Sequence, residues 1–310
     1  MMTGKLNFAL WCLTATLVLQ GCGLTKNQKT GIETFGQAAE TLGAASKDHL
    51  LACRENIIEM KRSQLAIERF VLPASQPDGT PPTREFYFSK SLNLDSGLDK
   101  DNIEKRVAAV ELLQRYGDLL VSFSSDTHEK ELRDASDKFA RSVESFPDNP
   151  LTPDEAKGLG ELVTIAGHFL VEHEKKEALE KIVPKVTPLI DKICDSIERD
   201  FNPKNKGIAS NINFAQDRLA SGSINGLKQT GGSLSDRFLL INGFALAEKN
   251  REYLATSSKQ ILRAVASLRA ANSQLLQVIG HNKVGISEIK KFSEDVADVA
   301  KGVKPFIGRF

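Results

Sequence analysis

The chain has 310 residues, with 41 basic and 40 acidic side chains, 41% apolar residues and 26% charged ones. So even a charge balance gives no global pull toward nucleic acid or anionic lipid. The proportions are those of an ordinary globular protein with residues enough for one or two domains.

The chain opens with one cation, Lys5, and no acid before Cys22, followed by an almost wholly apolar run from Leu6 to Leu19. Fourteen or so helical residues reach only about 21 Å, short of a membrane span. A charged start, a short apolar middle and small residues at a cut site predict a secretory signal peptide. Its end, Leu19-Gln20-Gly21-Cys22, resembles the lipobox of bacterial lipoproteins, with Gln20 where Ala or Ser is more usual.

That resemblance implies cleavage after residue 21, a diacylglyceryl group on the Cys22 sulfur and acylation of its freed amine. More than one acyl chain is needed to hold a protein on a bilayer. Gly23, in place of Asp, implies the outer membrane, on its periplasmic face, over retention in the inner one. The lipid bilayer is then one partner, through Cys22, and an envelope protein or the cell wall is expected to be the other. Removing residues 1–21 leaves forty basic against forty acidic residues, and removes Trp11, the only tryptophan.

Residues 22–30 read as a lipidated tether, its polar stretch 23–30 reaching about 27 Å at full extension, and residues 31–310 as a helical bundle domain. Thr30-Gly31-Ile32-Glu33 has the capping-box pattern. The helix it opens is expected to run to about Leu72, where Pro73 stops it. Its seam is Leu50, Cys53, Ile57, Met60, Ile67 and Val71, and Gly36 and Gly43 offer close approach to a neighbouring helix. Cys53 and Cys194 form an even pair in a compartment that permits disulfides. Both occupy apolar helical positions, so a bridge and two buried thiols remain open.

Residues 73–98 break the helical period with four prolines and an Asp78-Gly79 turn signal. Phe86, Tyr87 and Phe88 lie inside this irregular insertion. They are candidates for a partner contact, or for packing over one end of the bundle.

Helical periodicity returns at Asp101, with Ile103, Val107, Val110 and Leu120 on one face. A segment with Leu132, Ala135, Phe139, Val143 and Phe146 follows, ended by Pro147. Thr152-Pro153-Asp154-Glu155 combines an N-cap, a first-turn proline and a capping glutamate. The helix it starts is expected to reach Val183, to be interrupted by Pro184 and Pro188, and to resume to about Phe201. Ile208, Ile212, Ala215 and Leu219 mark another helix. "SGSINGLKQTGGSLSD" reads as a flexible joint.

The strongest periodicity comes next. Leu240, Ala247, Leu254, Ile261, Leu268 and Leu275 recur every seven residues. The companion seam, Phe244, Arg251, Ser258, Val265, Asn272 and Ile279, is half polar. Gly280 ends this helix of roughly 65–70 Å. Ser287 starts a last one on Ile289, Phe292, Val296, Val299 and Val303, antiparallel to its predecessor.

No segment alternates for long enough to build a sheet. The fold expected is all-α: an elongated antiparallel bundle of long helices with the irregular Pro-rich insertion after the first.

No motif in the sequence gathers a catalytic or metal site. His168, Glu172, His173 and Glu174 do not have the zincin spacing, and His173 points away from His168. Gly158-Leu159-Gly160 has no strand before it, and no nucleophile elbow is present. No catalytic residue, cofactor or metal is therefore assigned, and a non-enzymatic scaffold or interaction module is the leading expectation. The alternative is a membrane-active protein that remodels or permeabilises bilayers through the apolar run Leu159–Val171. A hydrolase with a site in the 73–98 loop is a third.

Overall fold

A computed structural model of the protein describes residues 23–67, 94–95, 98–125, 129–169, 171–228, 233–281 and 284–307. Among the described residues the fold is an all-α bundle of eight helices with no strand. They are α1 Lys26–Ile67, α2 Lys100–Ser124, α3 Glu129–Glu144, α4 Pro153–Ala166, α5 Glu172–Phe201, α6 Ile208–Lys228, α7 Leu234–Gly280 and α8 Ser287–Ile307. Cys22, Phe86, Tyr87 and Phe88 lie outside the described residues, as does nearly all of the 73–98 insertion.

The chain groups into two compact units. The first holds Met1–Gly43, Glu111–Ile193 and Ser267–Glu294; the second holds Ala44–Val110, Cys194–Ala266 and Asp295–Phe310. Five helices contribute a segment to each.

In the first unit, α1 and α2 pack at their glycines. A Cβ added at Gly36 would stand 2.8 Å from the Gly117 carbonyl oxygen. Glycine costs each helix stability, and contact between the two backbones is what it permits. Around this crossing Phe35, Tyr116, Phe139 and Phe292 form a fully buried aromatic cluster. Its ring centroids are 5.6 to 6.2 Å apart, the tilted and edge-on geometries that aromatic quadrupoles favour. Helices α3 and α4 form an antiparallel hairpin. Thr152 and Glu155 exchange the expected capping-box hydrogen bonds, with Pro153 in the first turn.

Four local expectations are corrected. Helix α1 starts at Lys26, because Thr25 and Gln28 form the reciprocal cap: Thr25 N–H donates to Gln28 Oε1 and Gln28 N–H to Thr25 Oγ1. The polar stretch before residue 31 is thus not a free tether. Leu24 is buried, and Gln28 Nε2 donates to the Val278 and Ile279 carbonyls at 2.9 and 3.0 Å. These are last-turn carbonyls of α7 that no helical N–H can reach.

The helix expected from Thr152 to Val183 breaks after Ala166, where Gly167 lies against α3. A Cβ there would fall 2.8 Å from Ser136 Oγ. Pro184 and Pro188, expected to interrupt, lie inside the continuous α5. Both are exposed, one turn apart on the outer side, so the carbonyls they orphan face water. Finally, residues 221–228 of the expected joint continue α6.

In the second unit, Arg54 of α1 fixes the approach to α2, donating to the Leu98 carbonyl at 3.2 Å and to Asp95 at 3.0 Å. Helices α6 and α7 are antiparallel: Gly226 lies under Leu240, Gly243 under Ser223, and Arg251 Nη2 reaches Asp217 at 2.7 Å. Helix α8 pairs antiparallel with α7, Arg263 bridging Asp295 and Asp298 and Gln260 covering Gly302.

Candidate functional site

The second unit buries a polar cluster that no motif announced. His49 and Cys53 are one turn apart on α1, both at most 1% exposed or fully buried. The Tyr253 hydroxyl stands 2.7 Å from His49 Nδ1, and Cys53 Sγ stands 3.6 Å from Nε2. Phe201 packs on the imidazole with centroids 5.0 Å apart. Such a cysteine–histidine contact invites a nucleophilic reading, which needs a thiolate. The environment here acts in the opposite sense. Burial, and next the Asp200 charge, push the Cys53 thiol well up. Burial lowers His49 to about 4. Thiol and imidazole are both held neutral, as hydrogen-bonded core groups.

Cys53 and Cys194 are buried thiols, not joined by a disulfide. Of the alternatives left open by their sequence positions, this is the second.

The histidine-rich stretch does not converge. His168 faces Glu129 at 3.9 Å, His173 faces Glu177 at 3.1 Å, and Glu172 pairs with Lys29 at 3.1 Å. Among the described residues no group of three or more His, Cys, Asp and Glu gathers as a metal site. Within Leu159–Val171, Leu159, Gly160, Val163 and Ala166 are buried, Gly160 and Gly167 lying against α3. Ile165 and Val171 are left exposed. None of the described helices is long and apolar enough to cross a membrane.

A cleft of about 390 Å³ opens beside α6 and α7, walled by Pro203, Ala209, Leu254, Ala255 and Leu262, with Arg251 and Lys259 at its edge. Arg251 is held by Asp217 and Glu248, so the cleft offers mainly an apolar wall.

The most unusual surface lies at the start of α7. Leu234, Phe238 and Ile241 are 82%, 64% and 52% exposed. At about 100° per residue these three and Ala245 form one stripe. Gly243, Ala247 and Asn250, which are buried, lie on the opposite side of the helix. Leu227 and Ile224, near the end of α6, add to the exposed apolar surface. The start of α7 thus exposes large apolar side chains on the side away from its packed turns, a concentration that marks a contact surface. Sequence reading missed it because the heptad seam from Leu240 onward marks only the inward side.

The chain matches no family model, no curated protein and no solved structure. Geometry and sequence alone carry the functional reading.

Proposed function

We propose that the protein is a non-enzymatic, lipid-anchored helical module of the bacterial cell envelope. Acyl chains on Cys22 would hold it at the periplasmic face of the outer membrane, and the start of α7 would be its contact surface. The lipobox-like Leu19-Gln20-Gly21-Cys22 supports the anchor. The observation that carries the module reading is the outward stripe Leu234, Phe238 and Ile241. Large apolar side chains concentrated on one surface mark a contact region, whereas isolated ones do not. The neutral, buried His49–Cys53 pair adds support, since a core hydrogen bond accounts for it without chemistry.

Cells fed a labelled fatty acid test the anchor. Wild type incorporates label and Cys22→Ala does not. A photo-reactive residue at position 238 tests the surface and is expected to capture an envelope component, lipid or protein, in intact cells. An unlabelled wild-type chain removes the anchor, and a silent position 238 removes the surface.

A further inference from the structure

We infer that the outward stripe of the α6–α7 hairpin docks in the interface of an anionic phospholipid bilayer. This rests on reading that hairpin as the contact surface and names what it contacts. Between Leu219 and Ala247, 29 residues carry only three charges, Lys228, Asp236 and Arg237, in a chain that is 26% charged. The depletion coincides with the exposed Leu227, Leu234, Phe238 and Ile241.

Two of the three charges are cations, one at the end of α6 and one in the first turn of α7. The single acid is engaged: Asp236 Oδ2 accepts from Ser233 N–H at 2.8 Å, in the capping box that opens α7. A carboxylate there is compensated by the helix N-terminus. The end of the hairpin thus presents hydrocarbon flanked by net positive charge, complementary to anionic headgroups.

The stripe is Leu, Phe and Ile without the Tyr or Trp that lead protein hot spots, and its flanking cations Lys228 and Arg237 match headgroup phosphates. Under the stripe Gly226 takes Leu240 and Gly243 takes Ser223, so the two helices of the hairpin pack closely beneath it. No described helix can cross a bilayer, so the hairpin lies in the interface.

Because Trp11 is the only tryptophan in the sequence, Phe238→Trp in residues 22–310 with Cys22→Ala places a lone reporter on the stripe of an unacylated chain that keeps every described helix. The chain is mixed with vesicles of equal parts phosphatidylglycerol and phosphatidylcholine, or of phosphatidylcholine alone, with and without lipids brominated in their acyl chains. In the anionic vesicles the indole at 238 is expected to shift to the blue and be quenched by bromine. Ile241→Asp should weaken binding about tenfold or more. Lys228→Gln and Arg237→Gln should each weaken it roughly fivefold, all with unchanged far-ultraviolet circular dichroism.

An indole that stays in water with both vesicles overturns the inference. So does equal binding to both vesicles, a blue shift caused by dimerisation without lipid, or capture of the stripe by a protein alone. Labelling at Cys22 is scored on the acylated chain, so loss of the anchor and loss of this contact are read separately.

Discussion

The hydroxyl of Tyr253 stands 2.7 Å from Nδ1 of His49, while the opposite ring nitrogen faces the Cys53 sulfur at 3.6 Å. Either neutral tautomer satisfies both contacts, because hydroxyl and thiol can each donate or accept. The imidazolium would lose its hydration on burial, and burial lowers the pKa from 6.5 to about 4. Above pH 6.5 the ring is neutral folded and unfolded and contributes no pH dependence. Below it the unfolded chain takes up a proton that the folded chain refuses, so stability falls as pH drops toward 4, by up to about 3 kcal/mol. His49→Gln removes this contribution. Urea unfolding should find the stability gap between wild type and variant shrinking from pH 7 to pH 4, and a constant gap would refute it.

Arg106 and Asp200 form a two-pronged pair, Nε to Oδ2 at 2.7 Å and Nη2 to Oδ1 at 3.0 Å. Asp200 is 3% exposed, so Arg106→Ala strands a buried carboxylate. The arginine is itself partly exposed, which places the loss near the lower end for buried pairs, about 3 kcal/mol. Arg106→Lys keeps the charge but cannot supply two parallel N–H donors, and should recover only part. Denaturant midpoints of the two variants decide it: a lysine variant equal to wild type would mean that charge alone matters.

Gly117 and Gly158 should respond oppositely to alanine. A Cβ at Gly117 would collide with the Gly36 carbonyl and with the backbone of Glu40, 2.5 Å from its nitrogen. Neither obstacle is a side chain that can swing away, so Gly117→Ala should cost roughly 1–3 kcal/mol net of the helix-propensity gain. Gly158 sits on α4 with nothing within 4 Å, and Gly158→Ala should gain up to about 1 kcal/mol. Thermal unfolding of the pair gives the signs directly.

Much of the core was legible because 3.6-residue periodicity records which side of a helix is inward. Ala247, Leu254, Ile261, Leu268 and Leu275 of the heptad seam are all buried, as are Val265, Asn272 and Ile279 of its half-polar companion. Phe244 and Arg251 of that companion are exposed, since coverage of α7 thins toward its start and periodicity does not report where a neighbour ends. The break at Gly167 escaped because its cause is Ser136 on another helix. The interior prolines of α5 misled because their cost depends on whether the orphaned carbonyls meet water. The exposed stripe was hidden by its composition: Leu, Phe and Ile read as core wherever they occur. The His49–Tyr253 contact joins residues 204 positions apart, which no local pattern reports.

Tyr116 lies fully buried between Phe35 and Phe139, and its hydroxyl has no hydrogen-bond partner among the described residues. The ring contributes to the aromatic cluster, but the oxygen loses its hydration on folding with no hydrogen bond in exchange, a cost of about 1–3 kcal/mol. Phenylalanine has nearly the same shape and preserves both ring contacts. Tyr116→Phe should therefore raise stability, by about 1 kcal/mol or more once any small repacking is offset. Removing the whole ring, as in Tyr116→Ala, should cost about 3–5 kcal/mol. Urea unfolding of the two variants separates hydroxyl from ring. A Tyr116→Phe chain less stable than wild type would mean that the oxygen is hydrogen-bonded in solution.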